Sequence, residues 1–193
     1  MRKLTLDDIA DLRAYERERD ELRARIIATK KRRRVQLGEL MTIVFENADT
    51  MRFQIQEMAR VERLMTDEQI QHELDTYNGL IPDDNELSGT LFIELTSDEL
   101  LREWLPKLVG IQRVVGLRLP DGTLVLGRPE DEERLTREDI TSSVHSLKFR
   151  FTPDEALALR GAGTALVVTH PEYTVVAELT DETRAELAAD LGL

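Results

Sequence analysis

The stretch Val114-Val115-Gly116-Leu117-Arg118-Leu119-Pro120-Asp121-Gly122-Thr123-Leu124-Val125-Leu126 decides the fold class. Two β-rich runs flank Pro120-Asp121-Gly122, turn chemistry that joins neighbouring antiparallel strands. The pattern recurs at Ala165 to Thr169 and Tyr173 to Leu179, which bracket His170-Pro171-Glu172. Strands arriving as hairpins, without long crossovers, predict an α+β fold: a mostly antiparallel, hairpin-built sheet with helices packed on one face and a long N-terminal helix. About eight strands in one sheet, or two subdomains divided near residues 128–139, both fit. One domain over residues 1–193 with one continuous core is the preferred reading.

Outward from these hairpins, residues 143–151 place His145, Leu147, Phe149 and Phe151 on one face of a half-buried strand. Thr152-Pro153-Asp154-Glu155 follows as a helix start, with a capping threonine, proline at the first helical position and glutamate at the third. Thr90 to Leu95 alternates as a strand, and Thr96 with Glu99 predicts the cap of a helix around Leu100, Leu101 and Trp104, with Pro106 near its end. Thr66 and Gln69 form a capping box for a helix that turns Ile70, Leu74 and Tyr77 inward. A last helix begins near Thr180.

At the N-terminus, Thr5 and Asp8 read as a capped start. The run Ala14 to Lys31 predicts one long or broken helix with Leu12, Tyr15, Leu22, Ile26 and Ile27 along its apolar stripe. Met41 to Phe45 reads as a strand and Glu46 to Asp49 as a turn. Thr50 to Gln56 then alternates apolar and polar, which argues a second strand with Met51, Phe53 and Ile55 inward. Met51, Ile55 and Met58 also fit a helical stripe; the strand is preferred, with helix from Glu57 onward.

The chain has 193 residues, 41% hydrophobic and 33% charged, which supplies enough apolar surface to offset chain entropy. No apolar run approaches the length that spans a bilayer, and Asp7, Asp8 and Asp11 interrupt any signal-peptide core, so the cytoplasm is the expected compartment. Without cysteine, the chain lacks disulfides, thiolate nucleophiles and thiolate metal sites. Of the net charge of -12, residues 1–34 contribute 12 cations against 7 acids, and the remainder 14 against 31. Such an acidic body disfavours nucleic-acid binding except through the head.

Five cations in a row, Lys30-Lys31-Arg32-Arg33-Arg34, are the chain's most concentrated charge. They are candidates for binding RNA, another anion or an acidic partner, or for complementing a helix C-terminus and the protein's own acidic body. Arg52, Gln54 and Gln56, with Glu57 and the preceding Glu46, would form a polar sheet face able to line a site or to sit in solvent. Glu68 and His72 share a helix face at a spacing that suits two metal ligands, too few for a site by themselves, with Glu57 or Glu62 as further candidates. His145 is expected in the core, hydrogen-bonded. His170, held extended before a proline, is expected exposed in its turn. No Gly-x-Ser-x-Gly elbow is present, and Gly161-Ala162-Gly163 leads into a strand, the reverse of a phosphate-cradling loop. No catalytic residue and no cofactor is indicated.

Several segments together, namely Leu4 to Asp8, Val44 to Asn47, Gln54 to Met58, Glu73 to Asp75 with Tyr77-Asn78, Leu80 to Pro82 and His170-Pro171 with Tyr173, resemble a bacterial family known as a domain of unknown function, family 3501. The resemblance runs the length of the chain. It carries no established activity. Members are often encoded beside rubrerythrin-like proteins and iron-sulfur oxidoreductases, which implies by association a role in oxidative-stress or electron-transfer metabolism. The leading expectation is therefore a non-catalytic accessory protein with such a redox partner. The rivals are a carboxylate/histidine metalloprotein using Glu68 and His72, and RNA or anion binding through residues 30–34.

Overall fold

The computed structural model describes residues 1–130 and 139–193. The fold is α+β, with two antiparallel sheets and, among the described residues, six α-helices. The segment that would hold a boundary near residues 128–139 lies largely outside the described residues.

Among the described residues, nine strands divide into a five-stranded sheet, in the order β1 (Arg34–Leu37), β2 (Met41–Glu46), β3 (Glu86–Ile93), β7 (Val144–Arg150), β6 (Arg128–Pro129), and a four-stranded sheet, in the order β5 (Leu124–Leu126), β4 (Val115–Arg118), β8 (Ala165–His170), β9 (Tyr173–Glu178). Both sheets supply the largest apolar cluster. Ile43, Phe45, Leu91, Leu147 and Phe149 enter it from the first, and Val115, Leu117, Leu166 and Val168 from the second. The predicted hairpins at Pro120-Asp121-Gly122 and Pro171-Glu172 both form, because their turn chemistry is local.

Two features tie the sheets together. At one corner the chain passes from β5 into β6 through Gly127, whose N–H donates to Val115 O at 2.8 Å. A Cβ there would lie 3.0 Å from the Phe149 ring and 3.2 Å from Val115 O, so the crossing needs a residue without a side chain. At the other corner, the Tyr173 hydroxyl donates to Leu37 O at 2.6 Å and accepts from Leu40 N at 3.2 Å, clasping the β1–β2 turn to β9. Trp104 stands edge-on to the Tyr173 ring, 6.5 Å between centroids.

The helices are α1 (Leu12–Arg32), α2 (Ala48–Glu62), α3 (Asp67–Tyr77), α4 (Asp98–Lys107), α5 (Pro153–Ala158) and α6 (Asp181–Asp190). Thr5 and Asp8 cap a short 3-10 turn. The chain then breaks, and Asp11 accepts from Arg13 N and Ala14 N to start α1. Tyr15, Leu22 and Ile26 are buried as the periodicity predicts, whereas Ile27 is exposed. None of the described helices is long and apolar enough to cross a membrane.

Three expectations are corrected. Residues 50–56 are helix, not strand: the Asn47 side chain accepts from Thr50 N while Thr50 Oγ1 accepts from Asn47 N, a capping box that starts α2 at Ala48. The helical stripe wins because Met51, Ile55 and Ala59 recur every four residues and are all buried. The partner of β2 at that edge is β1, a strand concealed behind the basic run. The cap of α4 is Ser97 in place of Thr96, its Oγ accepting from Leu100 N at 3.2 Å. His170 is buried. Its Nδ1 accepts from Glu172 N at 3.2 Å, which leaves Nε2 to donate to Val109 O at 3.1 Å. His145 is in the core as expected, with Nε2 3.0 Å from Thr141 Oγ1.

Candidate functional site

The residues singled out in the sequence end in separate places. With residues 50–56 helical, the polar strand face that would gather Glu46, Arg52, Gln54, Gln56 and Glu57 does not form. Gln56 is buried and staples the segment before α1, accepting from Ala10 N at 2.7 Å and donating to Ala10 O at 3.2 Å. Gln54 is half-buried, and Arg52 borders a small cleft with Glu18, Glu21 and Arg25 of α1. Glu57 accepts from the Tyr15 hydroxyl at 2.6 Å and from two Arg19 nitrogens at 2.8 Å each, joining α1 to α2.

That junction titrates. The Arg19 guanidinium, with the Tyr15 hydroxyl, holds the Glu57 carboxyl down at about 2, and Arg2 likewise holds Asp8 well below the carboxylate range. Burial, then the Glu57 contact, pushes the Tyr15 phenol up. A carboxyl whose folded pKa is depressed stabilises the fold fully above its unfolded value, and this contribution is lost as pH falls toward the folded one. Urea midpoints should therefore drop between the ordinary glutamate value of 4.5 and about 2. Glu57, with its side chain 23% exposed, should account for about 2 kcal/mol of the loss after solvent screening. Glu57→Gln should flatten that part of the profile; an unchanged slope would dissociate Glu57 from acid unfolding.

The basic run folds back on the chain. α1 ends at Arg32, whose Nε meets Glu186 of α6 at 2.5 Å. Arg33 is 1% exposed; it donates to Phe45 O at 2.9 Å and pairs with Asp190 and with Glu186. Arg34 reaches Glu94 at 3.3 Å and Lys30 reaches Glu46 at 3.8 Å. Lys31 is exposed. The head with excess positive charge thus spends four of its five clustered cations on the acidic body, which the charge asymmetry foreshadowed.

Glu68 and His72 lie exposed on α3 around a shallow depression shared with Asp67, Gln71 and Asp75. Among the described residues, no three histidine or carboxylate side chains gather as a metal site would require.

Two surface features were not read from the sequence. The first is the outer face of the four-stranded sheet. Val176 pairs with Val167, Val167 with Gly116 and Gly116 with Leu126, so one apolar row crosses all four strands. Val176 is 52% and Leu126 49% exposed, and Leu124 lies over Gly116, where a Cβ would come within 2.7 Å of its Cδ1. The second is a cleft of about 440 Å³ beside it, where β5 parts from the end of β7. Leu124 to Pro129 form one wall, and Arg113, Arg128, Arg150 and Glu155 complete the lining. Alternation within each strand hints at exposed leucines at 124 and 126, but neither assembly follows from spacing along the chain.

Taken together, the geometry defines an α+β two-sheet protein with exposed apolar residues on both edge strands of its four-stranded sheet and an arginine-lined cleft beside one of them. The chain belongs to the family described as Protein of unknown function (DUF3501), which matches over residues 3–191. It is similar to a solved structure described as a novel protein of unknown function from Burkholderia pseudomallei K96243. The two are 36% identical with a TM-score of 0.89, over 98% of this chain and 100% of that one. No curated protein matches the chain.

Proposed function

We propose that the protein is a non-catalytic binding protein that docks on a redox partner through the outer face of its four-stranded sheet. The observation that carries this reading is the row Val176, Val167, Gly116, Leu126: apolar positions aligned across four strands, buried at Val167 and Gly116 and exposed at its two ends through Val176, Leu126 and the neighbouring Leu124, mark an interaction surface. The polar groups outside this face support a scaffold. Glu57, Gln56, Arg33 and His170 are each engaged in holding one element to another. The rubrerythrin-like or iron-sulfur oxidoreductase class of partner comes from the gene neighbourhood that the family resemblance implies.

The experiment is binding between the purified chain and a purified partner of each class from the same genome, followed by biolayer interferometry. Burying a charge in an apolar interface without a counter-ion costs enough that Val176→Asp should weaken binding by about tenfold or more. Absence of binding to both classes would remove the proposal, and so would binding that Val176→Asp and Leu126→Asp leave intact.

A further inference from the structure

We infer that the cleft between β5 and the end of β7 binds a small organic anion carrying two or more negative charges, as carboxylate or phosphate, with an aliphatic portion. This goes beyond partner docking and needs no partner.

Sign of charge comes first. Three guanidinium groups and one carboxylate line the cleft, in a chain whose net charge is -12. The carboxylate, Glu155, is committed to the start of α5, where its Oε2 accepts from Thr152 N at 2.7 Å. Arg128 has no ion-pair partner among the described residues. Arg150 meets Glu86 through Nη2 at 3.2 Å, while its side chain stays 63% exposed with other N–H groups available. Glu86 is itself shared with Lys148 at 3.2 Å, so the cations on this side outnumber the acid they surround. Arg128 pairs with Lys148 in the β6–β7 register, which places a third cationic side chain next to the pair. An anion bridging Arg128 and Arg150 would accept charge-assisted hydrogen bonds from both.

Shape gives the rest of the ligand. Val125 and Gly127 are buried at the wall of the cleft, whereas Leu124 and Leu126 project from the exposed side of the same strand. Leu124 and Leu126 share the exposed side of β5, and Arg128 is exposed where the chain enters β6, so along this wall two apolar contacts lead to a cation. A volume of about 440 Å³ falls in the range of small-molecule sites. The arrangement fits a molecule with its charged end on Arg128 and Arg150 and its hydrocarbon end on the leucines.

The test uses the full chain labelled with nitrogen-15. Phosphate, pyrophosphate, succinate and citrate are added in turn at fixed ionic strength, and amide shifts and dissociation constants are read. Saturable shifts confined to Leu124 to Arg128 and the neighbourhood of Arg150 are expected for the multiply charged probes. Pyrophosphate tighter than citrate would assign phosphate, and the reverse order carboxylate. Arg128→Gln, which removes the charge but keeps a polar side chain at this exposed position, should weaken the best probe by about tenfold, and Arg128→Glu more. Lys31→Gln, on the far head, should leave it unchanged. The inference is overturned if no probe shifts these amides up to about 10 mM, or if the shifts survive Arg128→Glu in a folded variant. Loss of partner binding by Val176→Asp with anion binding retained would show the two surfaces to be independent.

Discussion

Replacing Arg33 by alanine is expected to cost about 3–5 kcal/mol of stability, the penalty for breaking a buried ion pair. The guanidinium is 1% exposed at the junction of α1, β1 and α6. It donates to Phe45 O at 2.9 Å and Glu46 O at 3.4 Å, pairs with Asp190, and lies 3.5 Å from Glu186. Alanine leaves two strand carbonyls without this donor and the buried Asp190 carboxylate without its counter-ion, with only the Asn47 side chain still bonded to it, and each such loss carries a desolvation penalty. Urea unfolding at constant slope is the measurement. Its pH dependence identifies the cause. Burial already pushes the Asp190 carboxyl up, against the opposing pull of Arg33. Without Arg33 its folded pKa rises further, so the folded variant holds a proton more tightly than the unfolded chain does. That contribution is present at low pH and is lost as pH rises through the folded pKa, so the deficit relative to wild type should widen as pH rises above the ordinary aspartate value of 3.8. A deficit independent of pH would assign the loss to the carbonyls alone. Arg33→Lys should recover only part of it, because one ammonium cannot reproduce the fork that serves Phe45, Asp190 and Glu186 together.

The burial of Arg33 also shows where sequence reading stops. Five consecutive cations look like a solvated helix end, and nothing in the run distinguishes the residue that points inward from the four that do not. The hairpin at Pro120-Asp121-Gly122 was legible because its information is local, as were the boxes at Thr66 and Thr152. Residues 50–56 misled because Met51 and Ile55 satisfy periods of two and of four alike. The deciding residue was Asn47, a helix cap that also reads as a turn former. His170 was placed in solvent from its neighbour Pro171, yet tertiary contact with Val109 carries its ring inside. The two surface features are the least local of all. Val176, Val167, Gly116 and Leu126 come from four strands, and only their pairing register makes them a row. Arg128 and Arg150 line one cleft because β6 pairs with β7 while β5 pairs away from it.

That divergence rests on Phe149, and Phe149→Ala is expected to destabilise the protein by about 3–5 kcal/mol. The side chain is fully buried, its ring 5.9 Å from that of Phe45 across the core face of the five-stranded sheet. Its edge also fills the space left by the missing side chain at Gly127, where the chain passes from one sheet into the other. Truncation removes an aromatic from between the sheets and opens a void at the corner that joins them. The loss should therefore exceed that of a comparable residue touching one sheet only. Hydrogen exchange separates the two consequences. If the ring supports the crossing, the Gly127 amide, bonded to Val115 O at 2.8 Å, should lose more protection than amides in the middle of β8. Equal loss at both places would mean that Phe149 contributes bulk to the core and nothing particular to the corner. Phe149→Leu, which keeps most of the volume but not the reach of the ring, should recover much of the stability while leaving Gly127 fast-exchanging.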